Sequence, residues 1–252
     1  MFYEDLKKLR PVEFKRYCGV KPKTFARMVA VVSGHQEKIR RKNGRPSKLS
    51  VADQIVLTLE YWREYRTFFH LGTSWGLHES SVCRIVQRVE MILTTSKAFA
   101  LPGKKRLQQA GHTLETVVVD ASETPIERPR KKQRRYYSGK KKRHTLKSQV
   151  VIDKRTKQII CTAHCRGAQH DFALYKQSGV QPEADITCLG DRGYQGLNKL
   201  HSNSQTPEKK PRGQKLAAEA KRRNRELARL RIVVEHVIRH LKIFRILAER
   251  YR

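Results

Sequence analysis

Three acidic residues stand where acids can do phosphate chemistry. Asp120 closes a β-branched run, Glu115 to Ala121 (ETVVVDA). Asp191 follows DITCL in the sequence Gly190-Asp191-Arg192-Gly193. Glu235 lies in an uninterrupted run from Gln214 to Arg252 that contains neither Gly nor Pro. Carboxylates gathered without a counter-charge repel one another, and a hard divalent cation, Mg²⁺ or Mn²⁺, offsets that cost because it takes oxygen ligands. Two such ions about 4 Å apart activate a water or a 3′-hydroxyl on one side of a phosphodiester and stabilise the leaving oxygen on the other. Gly190 and Gly193 leave room for a phosphate backbone to approach. Taken singly, either aspartate reads equally as a turn or cap residue, and Glu235 as an ion-pair partner of Arg231 or Arg239.

The elements that must position these acids are legible in the hydrophobic pattern. In the last run the apolar residues Leu227, Leu230, Val234, Val237, Leu241, Phe244 and Ala248 fall at steps of three and four, which predicts one amphipathic helix. Arg231, Glu235, Ile238 and Lys242 form a second stripe along its edge. Upstream, Glu115–Ala121, His144–Ile152, Gln158–Cys165 and Asp185–Leu189 read as strands. Asp153 to Lys157 reads as a hairpin turn. His170-Asp171 opens a short helix, with Asp171 suited to capping it. Residues 197–214 read as a polar loop. This alternation predicts an α/β sheet, in which ligands sit at the strand ends. If the first and fourth strands are neighbours, Asp120 and Asp191 face each other.

The first half is helical. Residues 1–48 read as an N-terminal helical segment with a basic linker (KIRRKNGRPSK), and residues 49–95 as a helix-turn-helix region. Its first long helix begins at Ser50, with Asp53 three residues on, close to a capping box. A short helix holding Phe68, Phe69 and Leu71 then turns at Gly76 into a helix that buries Val82, Ile85, Val86 and Val89. That helix would present Arg84 and Arg88 outward among Glu79, Ser80 and Gln87, as a groove-reading helix must. An ordinary helical hairpin has the same pattern. After a linker at 94–113, residues 114–252 form the third region.

Charge points to the partner. The chain has 55 Lys and Arg against 23 Asp and Glu, a net charge of +32, and so large a deficit of acid implies a polyanion, nucleic acid by default. Residues 128–147 hold eleven Lys or Arg and no acid, including Lys140, Lys141, Lys142 and Arg143. Such a run is disordered or extended without a counter-charge, and a phosphate backbone supplies one. Tyr136 and Tyr137 within it could stack on bases or serve as cross-strand residues of a hairpin. The five cysteines have no framework spacing; Cys161, His164 and Cys165 lack a second ligand pair, so reduced thiols are expected rather than zinc. No stretch is long and apolar enough for a membrane span, and MFYEDLKKLR lacks the apolar core of a signal peptide, so a cytoplasmic, nucleoid-associated location is expected.

The runs VVVDASETPIERPRKKQRRYYSGKKKRHTLK, CLGDRGYQG and RIVVEHVIRHLK resemble the insertion-sequence transposases of the IS5 group, within the IS4/IS5-like DDE transposases. The resemblance covers roughly residues 114–250, and the helix-turn-helix half is compatible with it. It implies an RNase H-like catalytic core, a mixed sheet flanked by helices, preceded by the all-α region. Such a core carries its first Asp on the first strand, its second after the fourth, and its Glu on a following helix; Asp120, Asp191 and Glu235 occupy those places. The family's Arg, three residues, Glu, six residues, Lys spacing is met by Arg231, Glu235 and Lys242, while Ala228 stands where the family has Tyr. His170 and Asp171 are similar to a recurrent His-Asp of the group. Family members usually continue beyond the Glu helix, which makes a shortened copy the expectation for a chain ending at Arg252. The implied activity is metal-dependent endonuclease and strand-transfer chemistry. The three acids would hold two Mg²⁺ or Mn²⁺ ions, and Arg231 and Lys242 would touch the DNA backbone. The implied partners are double-stranded terminal inverted repeats and target DNA, in a homodimer or higher assembly. A DNA-binding protein without catalysis is the competing expectation; it would keep the helix-turn-helix and lose metal dependence.

Overall fold

The computed structural model describes residues 2–39, 47–108, 114–211, 213 and 215–252. The centre of the basic linker at 38–48 and the end of the linker at 94–113 lie outside the described residues. The chain divides into two compact units, Met1–Ala100 with Lys242–Ala248, and Leu101–Leu241 with Glu249–Arg252.

The first unit is helical: α1 (Tyr3–Leu6), α2 (Pro11–Cys18), α3 (Pro22–Ile39), α4 (Val51–Glu64), α5 (Phe68–Trp75) and α6 (Glu79–Thr95). The Ser50 hydroxyl caps α4 by accepting the Asp53 N–H at 3.1 Å, and the Asp53 carboxylate in turn accepts the Tyr3 N–H at 2.9 Å, tying α1 to α4. Thr67 caps α5, Gly76 ends it at φ +62°, and His78 caps α6. Gly72 makes this turn possible: a Cβ there would lie 2.5 Å from the Leu77 carbonyl oxygen. Phe25, Val32, Ile55, Leu59, Leu71, Val82, Val86, Val89 and Ile92 form one core.

The second unit contains, among the described residues, a six-stranded sheet. In chain order its elements are β1 (Thr116–Pro125), β2 (Tyr137–Ser138), β3 (Arg143–Asp153), β4 (Ile159–Arg166), α7 (Asp171–Ser178), β5 (Thr187–Leu189), β6 (Ser204–Gln205) and α8 (Ala218–Leu241). β1 is central, antiparallel to β3 and parallel to β5; β4 lies outside β3 and β6 outside β5. This mixed sheet between helices is the RNase H-like arrangement. Alternation along β1 divides the core. Val117 and Val119 face α7, with Tyr175, Tyr194 and Leu197, while Val118 faces α8, with Leu227 and Val234.

Several sequence expectations change. β1 does not end at Asp120; β3 pairs with it as far as Pro125, so Asp120 sits mid-strand. The basic run is not without structure: Tyr137 and His144 are cross-strand partners with ring centroids 5.6 Å apart, and the Arg166 guanidinium lies 5.6 Å from the Tyr136 ring centroid. A short strand, β6, lies inside the expected loop at 197–214. The cap of α7 is His170, whose Nδ1 accepts the Phe172 N–H, and not Asp171. The final helix stops at Leu241. Beyond it, Phe244 packs on the first unit's core against Gly19, and Arg63 Nη1 donates to the Ile243 carbonyl at 2.5 Å. Those tertiary contacts override a helical pattern whose propensity alone would continue. Phe244 and Ala248 therefore belong to no helical stripe, and Leu230 is exposed.

Candidate active site

The site is fixed by the register of the two parallel strands. Val118 on β1 pairs with Leu189 on β5. Asp120 and Asp191 each follow two residues later, so the sheet carries both carboxylates to the same level beyond that pairing. Asp120 Oδ1 accepts the Ala121 N–H at 2.8 Å, and Asp191 Oδ1 accepts the Gly193 N–H at 2.7 Å, opening a short 3₁₀ turn, Arg192–Tyr194. Burial pushes the Asp120 carboxyl up to about 6, the negative charges of Asp191 and Asp171 add to the shift, and the Ala121 N–H and the Arg231 guanidinium oppose it. Burial, with the charges of Asp120, Asp171 and Asp191 behind it, also pushes the Tyr194 phenol far above its ordinary value. That hydroxyl lies 3.5 Å from Gln149 Oε1.

A third acid therefore joins the two aspartates, and it is Asp171 at the start of α7. Gly193 marks the meeting point: a Cβ there would lie 2.5 Å from Asp171 Oδ2 and 2.9 Å from Asp191 Oδ1. The glycine is required by close approach and not by a positive φ. Gly193→Ala should push these two carboxylates apart and lower the rate of any reaction the pair carries about 10-fold or more, since misplacement by about 1 Å costs up to about 10²-fold. Rate measurements, with circular dichroism as the check on folding, test this.

Asp171 is anchored by a residue of the basic run. Lys147 on β3 is buried; its ammonium donates to the Gln169 carbonyl at 2.6 Å and lies 2.7 Å from Asp171 Oδ1 and 3.9 Å from Glu123 Oε1. Thr145, Lys147 and Gln149 alternate along β3, all three buried, and Thr145 donates to Glu123 at 2.9 Å while Gln149 donates to Ser178 Oγ at 3.2 Å. A polar residue at every second position of a strand is the signal that could have identified this face.

The helix contributes differently from the two strands. Arg231 reaches Asp120's charge, and its Nε is buried without a hydrogen-bond partner. Glu235, one turn further along α8, is exposed. Among the described residues no three His, Cys, Asp or Glu side chains are close enough to share one metal ion. Lys242 lies just beyond α8 and is half-buried. On α6, Arg84 is exposed, whereas Arg88 is half-buried and donates to Gln54 Oε1 at 3.0 Å. Lys140, Lys141, Lys142 and Arg143 are exposed at the turn between β2 and β3. All five cysteines are free thiols, and His164 Nδ1 is 2.9 Å from Ser148 Oγ. Among the described residues no helix is long and apolar enough to cross a membrane.

Residues 119–252 match the family described as DDE superfamily endonuclease, and residues 47–96 match the helix-turn-helix of DDE superfamily endonuclease. The α5–α6 pair is thereby a helix-turn-helix of that family rather than an ordinary hairpin. Over 252 residues the chain is 51% identical to the probable transposase for insertion sequence element IS702 of Microchaete diplosiphon, covering 100% of this chain and 91% of that relative. The chain belongs to the insertion-sequence transposases of the DDE endonuclease superfamily. Among solved structures, the Mos1 transposase paired-end complex with left transposon end aligns over 84% of this chain and 83% of its own, at 11% identity and a TM-score of 0.24, too remote to carry an argument.

Proposed function

We propose that this chain cuts phosphodiester bonds at the ends of an insertion sequence and joins the freed ends to target DNA, using Asp120, Asp191 and Glu235. The observation that carries this reading is the shared level of Asp120 and Asp191 beyond the β1–β5 pairing. The donor set fits a hard divalent cation, since the oxygens are carboxylates and the charges of Asp191 and Asp171 already disfavour ionised Asp120. Asp120 and Asp191 would hold the metal, with Glu235 completing the set from α8. Bound there, one or two Mg²⁺ or Mn²⁺ ions supply Lewis acidity at phosphate oxygen and lower the pKa of an attacking hydroxyl. Cleavage adds water across the P–O3′ bond, the hydroxyl oxygen going to phosphorus and the proton to the departing 3′-oxygen. Joining is a transesterification in which that 3′-hydroxyl attacks a target phosphodiester and a second alcohol leaves, so no bond energy is consumed.

The chain's own groups bind and orient the DNA in this scheme. Arg231 sets a positive charge beside Asp120 and, with Lys242, would meet the backbone phosphates. The exposed turn at Lys140–Arg143 supplies further phosphate contacts. The exposed Arg84 of α6 would read a groove at the terminal repeats, beside Arg88, which donates to Gln54. Joining two ends calls for a homodimer or higher assembly, and the substrate places the protein in the cytoplasm at the nucleoid.

The test is Mn²⁺-dependent nicking of supercoiled plasmid by the wild type and by Asp191→Asn, purified identically. Nicking by the wild type alone supports the reading. Equal nicking by both preparations rejects Asp191 as part of the site.

A further inference from the structure

We infer that Gln54, buried on α4, is a positioning residue for sequence recognition: through Arg88 it fixes the rotation of α6, and with it the direction in which Arg84 points. The inference rests on the reading of α6 as the groove-reading helix and deepens it. Gln54 is 1% exposed. A buried amide needs partners for both its N–H groups and its oxygen, and this one has them from three stretches of chain. Its Nε2 donates to the Leu49 carbonyl at 3.0 Å and to Ser47 Oγ at 3.3 Å. Its Oε1 accepts from Gln36 Nε2 at 3.2 Å and from Arg88 Nη2 at 3.0 Å. A guanidinium can only donate and a carbonyl can only accept, so the amide has one orientation. One side chain thereby ties α3, the segment entering α4, and α6.

Arg88 is held by this amide and not presented to solvent. It is half-buried, and its Nε is buried without a hydrogen-bond partner. Arg84 lies one turn earlier on the same edge of α6 and is exposed. On the buried side, Val82, Ile85, Val86 and Val89 join the core of the first unit. Apolar burial is non-directional, so it holds the helix down better than it sets the helix's rotation. A hydrogen bond is directional and weakens steeply when misaligned. At about 6 Å from the helix axis, a rotation of about 10° moves a side chain by about 1 Å. That displacement breaks a 3.0 Å bond to Gln54 and misaligns a bidentate contact from Arg84 to a base. Buried polar groups of this kind select one packing among near-equivalent ones.

The experiment first selects a preferred duplex from a randomised library with the full-length wild-type chain. The readout is then a specificity ratio: Kd for a scrambled duplex of equal length divided by Kd for the selected one, by fluorescence anisotropy at fixed salt. Loss of folded protein raises both constants alike and cancels, so a role in stability alone leaves the ratio unmoved. Gln54→Met, similar in size but unable to hold Arg88, is expected to lower the ratio about 10-fold, the scale of one lost base contact. Gln54→Glu is expected to keep the wild-type ratio, because a carboxylate still accepts from Arg88. Thr58→Val is the control; it removes another buried bond of α4, from the Thr58 hydroxyl to the Gln54 backbone carbonyl at 2.8 Å, and should leave the ratio unchanged. An unchanged ratio in Gln54→Met overturns the inference. Equal falls in Gln54→Met and Gln54→Glu overturn it too, since the amide would then act through the segment entering α4. An equal fall in Thr58→Val overturns it as a general loosening of α4. Arg84→Met, measured alongside, separates the two levels: a lowered ratio there keeps α6 as the groove reader whatever Gln54 does, and an unchanged one overturns that reading and the inference together.

Discussion

Asp120→Asn is expected to abolish Mn²⁺-dependent DNA cleavage while making the protein more stable at neutral pH. The activity loss follows from removing one of two carboxylates that the sheet sets side by side; DNA affinity is retained or raised, because a negative charge beside the phosphates is gone. The stability gain follows from the cost of ionising this group. Burial raises the Asp120 carboxyl from 3.8 to about 6, aided by the charges of Asp191 and Asp171. A folded value above the unfolded one means that the fold favours the protonated acid. Its contribution to stability is complete below about pH 4 and is lost as pH rises through about 6. Two units correspond to about 3 kcal/mol, so in chelator at pH 8 the wild type carries a penalty of that order, which asparagine lacks. Denaturant unfolding should show the variant more stable by about 1–3 kcal/mol at pH 8, with the difference closing below pH 4. A variant less stable than the wild type at pH 8 would place Asp120 in a stabilising contact instead.

Lys147→Met is expected to be the most damaging single change outside the core of either unit. It leaves the Gln169 carbonyl and the Asp171 carboxylate without the ammonium that both contact, next to the two aspartates. Breaking a buried pair by removing one partner costs about 3–5 kcal/mol, because the remaining charge is left uncompensated. The loss should appear in denaturant unfolding, together with slower nicking. Asp171→Asn added to Lys147→Met should recover about half of the stability or more, since it removes the stranded charge; the coupling in this double-mutant cycle is the measure of the pair. Independent, additive losses would mean that Lys147 acts through the Gln169 carbonyl and Glu123 alone.

Much of this protein is determined locally, and its sequence accordingly declares it. Val117–Val119 are β-branched and continuous because β1 is covered on both faces. The caps at Ser50 and Thr67, the turn at Gly76 and the three-and-four spacing of α6 are all short-range chemistry, and each is readable from a few neighbouring residues. The same holds for the succession of strands along the chain. What the sequence by itself could not decide is anything set by partners distant in the chain. Asp171 reads as a helix cap until Lys147, from strand β3, takes its carboxylate. Lys147 reads as one more charge in a basic run until alternation along β3 turns it inward. The last helix reads as continuous to Arg252 until Phe244 and Ile243 find contacts with Gly19 and Arg63, far back in the chain. Asp120 and Asp191 are separate turn residues until one parallel register, Val118 with Leu189, brings them level. A local pattern fixes which face of an element is apolar, whereas the pairing of faces depends on long-range contacts whose energies no window of sequence contains.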